Sequence, residues 1–111
     1  MGDRVSISFR FGGEESVALF AHWDGLDFVE LARDYVVKLN KDVPKAPVYP
    51  LQRREPNTVL LDFICQISAY LQQESGRVMS HYYLGADKHS GDNSDNGHHI
   101  VDLEDGGLVG E

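Results

Sequence analysis

The stretch from Arg4 to Phe11 reads R-V-S-I-S-F-R-F, with Val5, Ile7, Phe9 and Phe11 on one side and Arg4, Ser6, Ser8 and Arg10 on the other. That period of two predicts a strand with one buried face. Gly12-Gly13 followed by Glu14-Glu15 signals a tight turn, because glycine supplies the positive φ such turns need. Val17, Leu19 and Ala21 then alternate with Ser16, Ala18, Phe20 and His22. The two runs together predict a hairpin.

Asp24-Gly25 closes the second strand. Asp24 is placed to cap a helix beginning near Leu26, and Asp27 suits the positive end of its dipole. From there to Lys41, Phe28, Leu31, Ala32, Tyr35 and Leu39 fall on one stripe at the helical period, while Glu30, Arg33, Asp34 and Lys38 lie outside it. All four prolines, Pro44, Pro47, Pro50 and Pro56, follow within a short window, so this stretch is expected to be an extended connector. Its Lys41-x-x-Pro44-x-x-Pro47 spacing also fits a polyproline ligand.

A second helix is predicted from Asn57 to Ser75, ended by Gly76, with Leu60, Phe63, Ile64, Ile67 and Leu71 as its core stripe. Cys65 falls off that stripe with no basic neighbour in the chain, which reads as an inert thiol. The run 77–84, R-V-M-S-H-Y-Y-L, and the run 99–103, H-I-V-D-L, read as a third and a fourth strand.

The order ββααββ predicts an α+β fold. Two hairpins would form one mostly antiparallel four-stranded sheet, with two helices on one face in a two-layer sandwich. Residues 1–105 are expected to form a single domain, and the glycine- and acid-rich 106–111 to be a flexible tail that frays.

Composition narrows the function. In 111 residues there are 10 Lys and Arg against 18 Asp and Glu, a formal charge of −8. Seven of the acids and one base, Lys88, lie between Asp87 and Glu111. A chain this acidic repels phosphate, which disfavours nucleic acid as partner and suits a basic partner, a cation or simple solvation. No apolar run is long enough for a membrane span, and the alternating, acid-bearing first twenty residues do not fit a secretory signal. The lone Cys65 makes no internal disulfide, which favours a reducing, cytoplasmic setting.

Two places carry candidate chemistry. The loop 85–98, G-A-D-K-H-S-G-D-N-S-D-N-G-H, concentrates acids, asparagines and histidines. Asp92, Ser94, Asn96 and Gly97 match the start of a calcium loop, but Leu103 stands where its closing acid belongs. A zinc-type site using Asp87, His89, Asp92, Asp95 and His98 is the alternative, and a solvated turn is the plain reading. The second place is the strand-to-helix corner His22, Trp23, Asp24 and Gly25. Trp23, the only tryptophan, either packs beneath the first helix with its indole N–H on a carbonyl, or stands exposed as an interface anchor.

At this corner the chain resembles a known family. F-A-H-W-D-G at 20–25 and the helix after it, L-L-D-F-I-C-Q-I at 60–67, and G-D-N at 91–93 with I-V-D-L at 100–103 are similar to a pattern shared by small uncharacterised proteins of phages, prophages and archaea. The likeness runs from Arg4 to Leu103, loosest in the proline-rich connector. It implies no activity, cofactor or catalytic residue, and points toward a small accessory protein that acts by binding.

The chain has no G-x-S-x-G, G-x-x-x-x-G-K, H-E-x-x-H or G-x-G-x-x-G signature, so the balance leans away from an enzyme. The leading expectation is a small cytoplasmic interaction protein with a protein partner, in a mobile-element or host-regulatory setting. The alternatives are a calcium- or zinc-binding domain built on residues 85–99, and a metal-dependent hydrolase at the same loop.

Overall fold

A computed structural model describes residues 3–42, 55–74, 81–86 and 93–109. β1 (Val5–Phe11) turns through Gly12 and Gly13 into β2 (Glu14–Glu15), and the chain continues as β3 (Ala18–Ala21). Gly12 and Gly13 have φ of 61° and 86°, the pair of positive values a type I′ hairpin turn demands.

One irregularity shapes this hairpin. Phe11 faces Glu14 and Arg10 faces Glu15, yet Ile7 faces Leu19, so the register moves by one residue between the two halves. The extra residue is a β-bulge around Ser16–Ala18. It is pinned by Ser16, whose N–H donates to the Phe9 carbonyl (2.8 Å) and whose Oγ accepts the Phe9 N–H (2.9 Å). The bulge carries Ser16 to the face opposite Glu15, against the simple alternation expected for 16–22.

α1 (Leu26–Asp42) and α2 (Pro56–Glu74) share one core on one face of the sheet with Val5, Ile7, Phe9, Leu19 and Ala21. Phe63 is its centre, edge-on to Phe9 at 5.6 Å and to Phe28 at 5.8 Å. The buried stripe of α1 is Phe28, Val29, Ala32, Val36 and Leu39. Leu31 and Tyr35, expected at its heart, lie at its margin because Tyr35 turns to α2, where its hydroxyl donates to Asp62 Oδ2 at 2.5 Å. On α2, Val59, Leu60, Phe63 and Ile67 are buried, Ile64 is half-buried, and Cys65 is exposed as its spacing suggests. The connector prolines 44, 47 and 50 and the side chain of Leu71 lie outside the described residues.

The α+β sandwich is as expected, but its last two strands do not form a second hairpin. β4 (Tyr82–Gly85) pairs antiparallel with β3, whereas β5 (His98–Asp102) pairs parallel with β1. The spatial order is therefore β5–β1–β3–β4, with β2 continuing the hairpin at the far end of β1. β4 and β5 thus lie at opposite margins of the sheet, and β1, flanked by β3 and β5, is a central strand. Its Ser6 and Ser8 are accordingly fully buried, not solvated.

The chain end also departs from expectation. Residues 106–109 are docked and not a frayed tail: Gly106 N–H donates to the Asp102 carbonyl, Arg33 Nε to the Gly106 carbonyl (2.9 Å), and Val109 N–H to the Ile100 carbonyl. Leu108 bridges to Val101 and packs on the core, so the expected boundary at Asp105 falls inside packed structure. Among the described residues, no helix is long and apolar enough to cross a membrane.

Candidate functional site

The helix-free face of the sheet follows from the registers. Opposed positions share a face, so His98, Ser6, Phe20 and Tyr83 form one row across four strands. One step along, beyond the paired ends, Arg4, His22 and His81 continue the pattern, with His22 N–H donating to the His81 carbonyl at 3.1 Å. The face is polar at its β5 margin and aromatic at its β4 margin.

At the polar margin Ser8 Oγ donates to Glu15 Oε2 at 2.6 Å. A hydroxyl has one proton, so the Ser8 oxygen accepts from His98 Nε2–H, 3.0 Å away. His98 Nδ1 is then the acceptor for Ser6 Oγ at 2.7 Å, and Ser6 in turn accepts the Asn93 amide at 2.8 Å. All the donors in this chain point toward the Glu15 carboxylate. Serine, histidine and acid are the residue types of a nucleophilic site, but Ser8 is fully buried and gives its proton to Glu15, which is the geometry of a packed hydrogen-bond chain.

At the aromatic margin the corner His22–Gly25 divides into builders and liners. Gly25 has φ 59°, and a Cβ there would run into the Asp3 carboxylate. Its N–H donates to the Asp3 carbonyl at 2.9 Å, while Asp3 N–H donates to the His22 carbonyl at 2.8 Å. Asp24 Oδ2 accepts the hydroxyl of Tyr82, a buried residue stacked on Phe28 at 5.6 Å. These contacts tie the corner to β4 and to the start of α1.

The liners are His22 and Trp23 from the corner with His81 and Tyr83 from beside it and from β4, around a shallow open groove of about 240 Å³. Trp23 is 39% exposed and stands outside the core, edge-on to His22 (4.9 Å) and to His81 (6.2 Å). Of its two expected placements, the one beneath α1 is therefore not adopted. Tyr83 is 43% exposed, and its other side stacks on fully buried Phe20 with rings 4.9 Å apart and 5° from parallel. Sequence reasoning missed Tyr83 and His81 as site residues. A strand over 77–84 puts 81 and 83 on one face, but only the pairing of β4 with β3 brings that face to Trp23.

Of the expected metal ligands, Asp87, His89 and Asp92 lie outside the described residues. Asp95 accepts from Arg4 Nε (2.9 Å) and from the Arg4 backbone N–H (3.0 Å), which together hold its carboxyl below the usual carboxylate range. His98 is turned into the sheet face, so Asp95 and His98 are engaged in separate contacts. Asn96, on the expected calcium loop, donates to Asp3 Oδ1 at 2.6 Å. Among the described residues no three His, Cys, Asp or Glu side chains converge as a metal site.

No family model, curated protein or solved structure matches this chain.

Proposed function

We propose that this protein is a binding module whose docking site is the groove of His22, Trp23, His81 and Tyr83, and that it acts through a protein partner in the cytoplasm. One observation carries the reading: two large aromatic rings stand half-exposed on the same groove, Tyr83 stacked on buried Phe20 and Trp23 edge-on to His22 and His81. Pre-positioned Trp and Tyr are the side chains that most often anchor interfaces, because they offer wide contact area at little entropic cost. The resemblance of the H-W-x-G corner to small phage, prophage and archaeal proteins supports a role by binding, and the lone Cys65 supports a reducing compartment.

The test is site-specific photo-crosslinking in the source cells. A benzophenone side chain replaces Tyr83 in the groove or, as a control, Leu61, which is 63% exposed on α2. Discrete adducts from position 83 and none from 61 are expected. Adducts from 61 alone would move the interface to the helices and end the proposal.

A further inference from the structure

We infer that His22 and His81 together form a two-histidine site for a divalent transition-metal ion of the copper, nickel or zinc class. The strand register places them side by side. Ala21 faces Tyr82 where β3 pairs with β4, so the next rung sets His22 opposite His81, and the His22 N–H donates to the His81 carbonyl there (3.1 Å). Side chains opposite one another on neighbouring strands share a face, with Cβ atoms about 4.5–5.5 Å apart. Two imidazoles on such a rung can reach one ion at metal–nitrogen distances of about 2.0–2.1 Å. Both line the open groove of about 240 Å³, which has room for an ion and its waters.

Their rings are also uncommitted, unlike those of the other described histidines. His98 holds Ser6 and Ser8 through its two nitrogens, and His99 has Nε2 on the Asn96 carbonyl (2.8 Å) with Nδ1 buried. Among the described residues neither His22 nor His81 makes a side-chain hydrogen bond, and Nδ1 of His81 is buried without a partner. No acceptor fixes the tautomer, so Nε2 of His81 can keep the lone pair that an ion needs. Arg4, beyond His22 in the same row, has its charge balanced by Asp95 at 2.9 Å. Imidazole suits copper, nickel and zinc, whereas calcium and magnesium take oxygen. With two protein ligands, the remaining coordination positions go to water or to a group of another molecule. The site uses no carboxylate of the 85–99 loop, and it stands apart from the docking reading, since the ion needs only the two rings.

Trp23 supplies the readout. Its ring lies 4.9 Å from that of His22 and 6.2 Å from that of His81, it is the only tryptophan, and copper(II) and nickel(II) quench a neighbouring indole. Copper(II), nickel(II), calcium and magnesium chlorides are each titrated into the full chain. Copper should quench Trp23 saturably, nickel should do so at higher concentration, and calcium and magnesium should do nothing. His22→Gln and His81→Gln should each weaken copper at least about tenfold, since loss of a group that merely orients a metal ligand costs that much. Thermal melts establish that both variants fold. A second measurement needs no variant: zinc should protect His22 and His81 of the wild-type chain from diethylpyrocarbonate, read by peptide mass spectrometry. Quenching unchanged in both glutamine variants would overturn the inference, as would an equal response to calcium or zinc protection confined to other histidines. Protection of His89 alone would put the ion on the 85–99 loop instead. Adducts from position 83 bear on the docking site only, so the two readings fail separately.

Discussion

Tyr83 lies flat on Phe20, 4.9 Å away and 5° from parallel, so a ring open to solvent is held by one that sees none. The stack joins β4 to β3 on the helix-free face and fixes one wall of the groove. Phe20→Ala should therefore cost both stability, about 3–5 kcal/mol for a large buried ring, and the rigidity of Tyr83. Tyr83→Ala, truncating a half-exposed side chain, should cost about 1 kcal/mol. Urea unfolding of the two variants checks the order, which reverses if Tyr83 is the keystone and Phe20 the filler.

Gly25 is the backbone condition for the corner. Its φ of 59° is strained for any other residue, and a Cβ would meet the Asp3 side chain. Gly25→Ala should destabilise by about 1–3 kcal/mol. Asp3→Ala combined with Gly25→Ala should recover the part due to the clash and leave the part due to φ, which a double-mutant cycle separates.

Ser6, Ser8 and His98 form one buried hydrogen-bond chain ending on Glu15. His98→Ala leaves two buried hydroxyls short of a partner and should cost about 2–4 kcal/mol. Replacing Ser6 and Ser8 by Ala in the same protein removes the orphaned groups, so adding those changes to His98→Ala should cost less than the separate effects summed. Chemical denaturation of the triple variant decides whether the network acts as a unit.

The alternation of the first hairpin and the amphipathic stripes of both helices were legible, because burial on one face writes itself into the spacing of apolar residues. The bulge at Ser16–Ala18 was not: Val17, Leu19 and Ala21 satisfy a regular alternation, and the stabilising contact is a serine hydroxyl on the Phe9 amide. Strand partners were equally silent. Nothing in H-I-V-D-L at 99–103 tells whether it pairs with β4 or runs parallel to β1. The corner His22–Gly25 could be singled out from its residue types, but the groove needed Tyr83 to arrive from another strand.

Leu108 shows the same limit at the chain end, where glycine and acid suggested fraying. A chain ending at Asp105 should lose about 1–2 kcal/mol, since Leu108 leaves the core and Arg33 loses the Gly106 carbonyl. That corresponds to a fall in Tm of roughly 5–15 °C for a domain of this size. An unchanged Tm would mean that 106–109 contributes nothing to the fold.

Arg4 lowers the pKa of Asp95 in the folded state, so this pair stabilises the fold when the carboxylate is charged. Its contribution is present above the ordinary carboxylate range and is lost as pH falls through that range to the depressed folded value. The stability difference between wild type and Asp95→Asn should thus be largest near neutral pH, small because the pair is exposed, and vanish in acid. Parallel denaturation curves across the acid range check the sign.

The groove itself is open to one direct measurement. Trp23 is the only tryptophan, so the ¹⁵N-labelled protein has a single indole N–H resonance. In a lysate of the source cells that resonance should shift or broaden, together with the amides of His22, His81 and Tyr83, and Tyr83→Leu should return it toward its free position. An indole resonance that stays put while amides of α1 and α2 broaden would contradict the account.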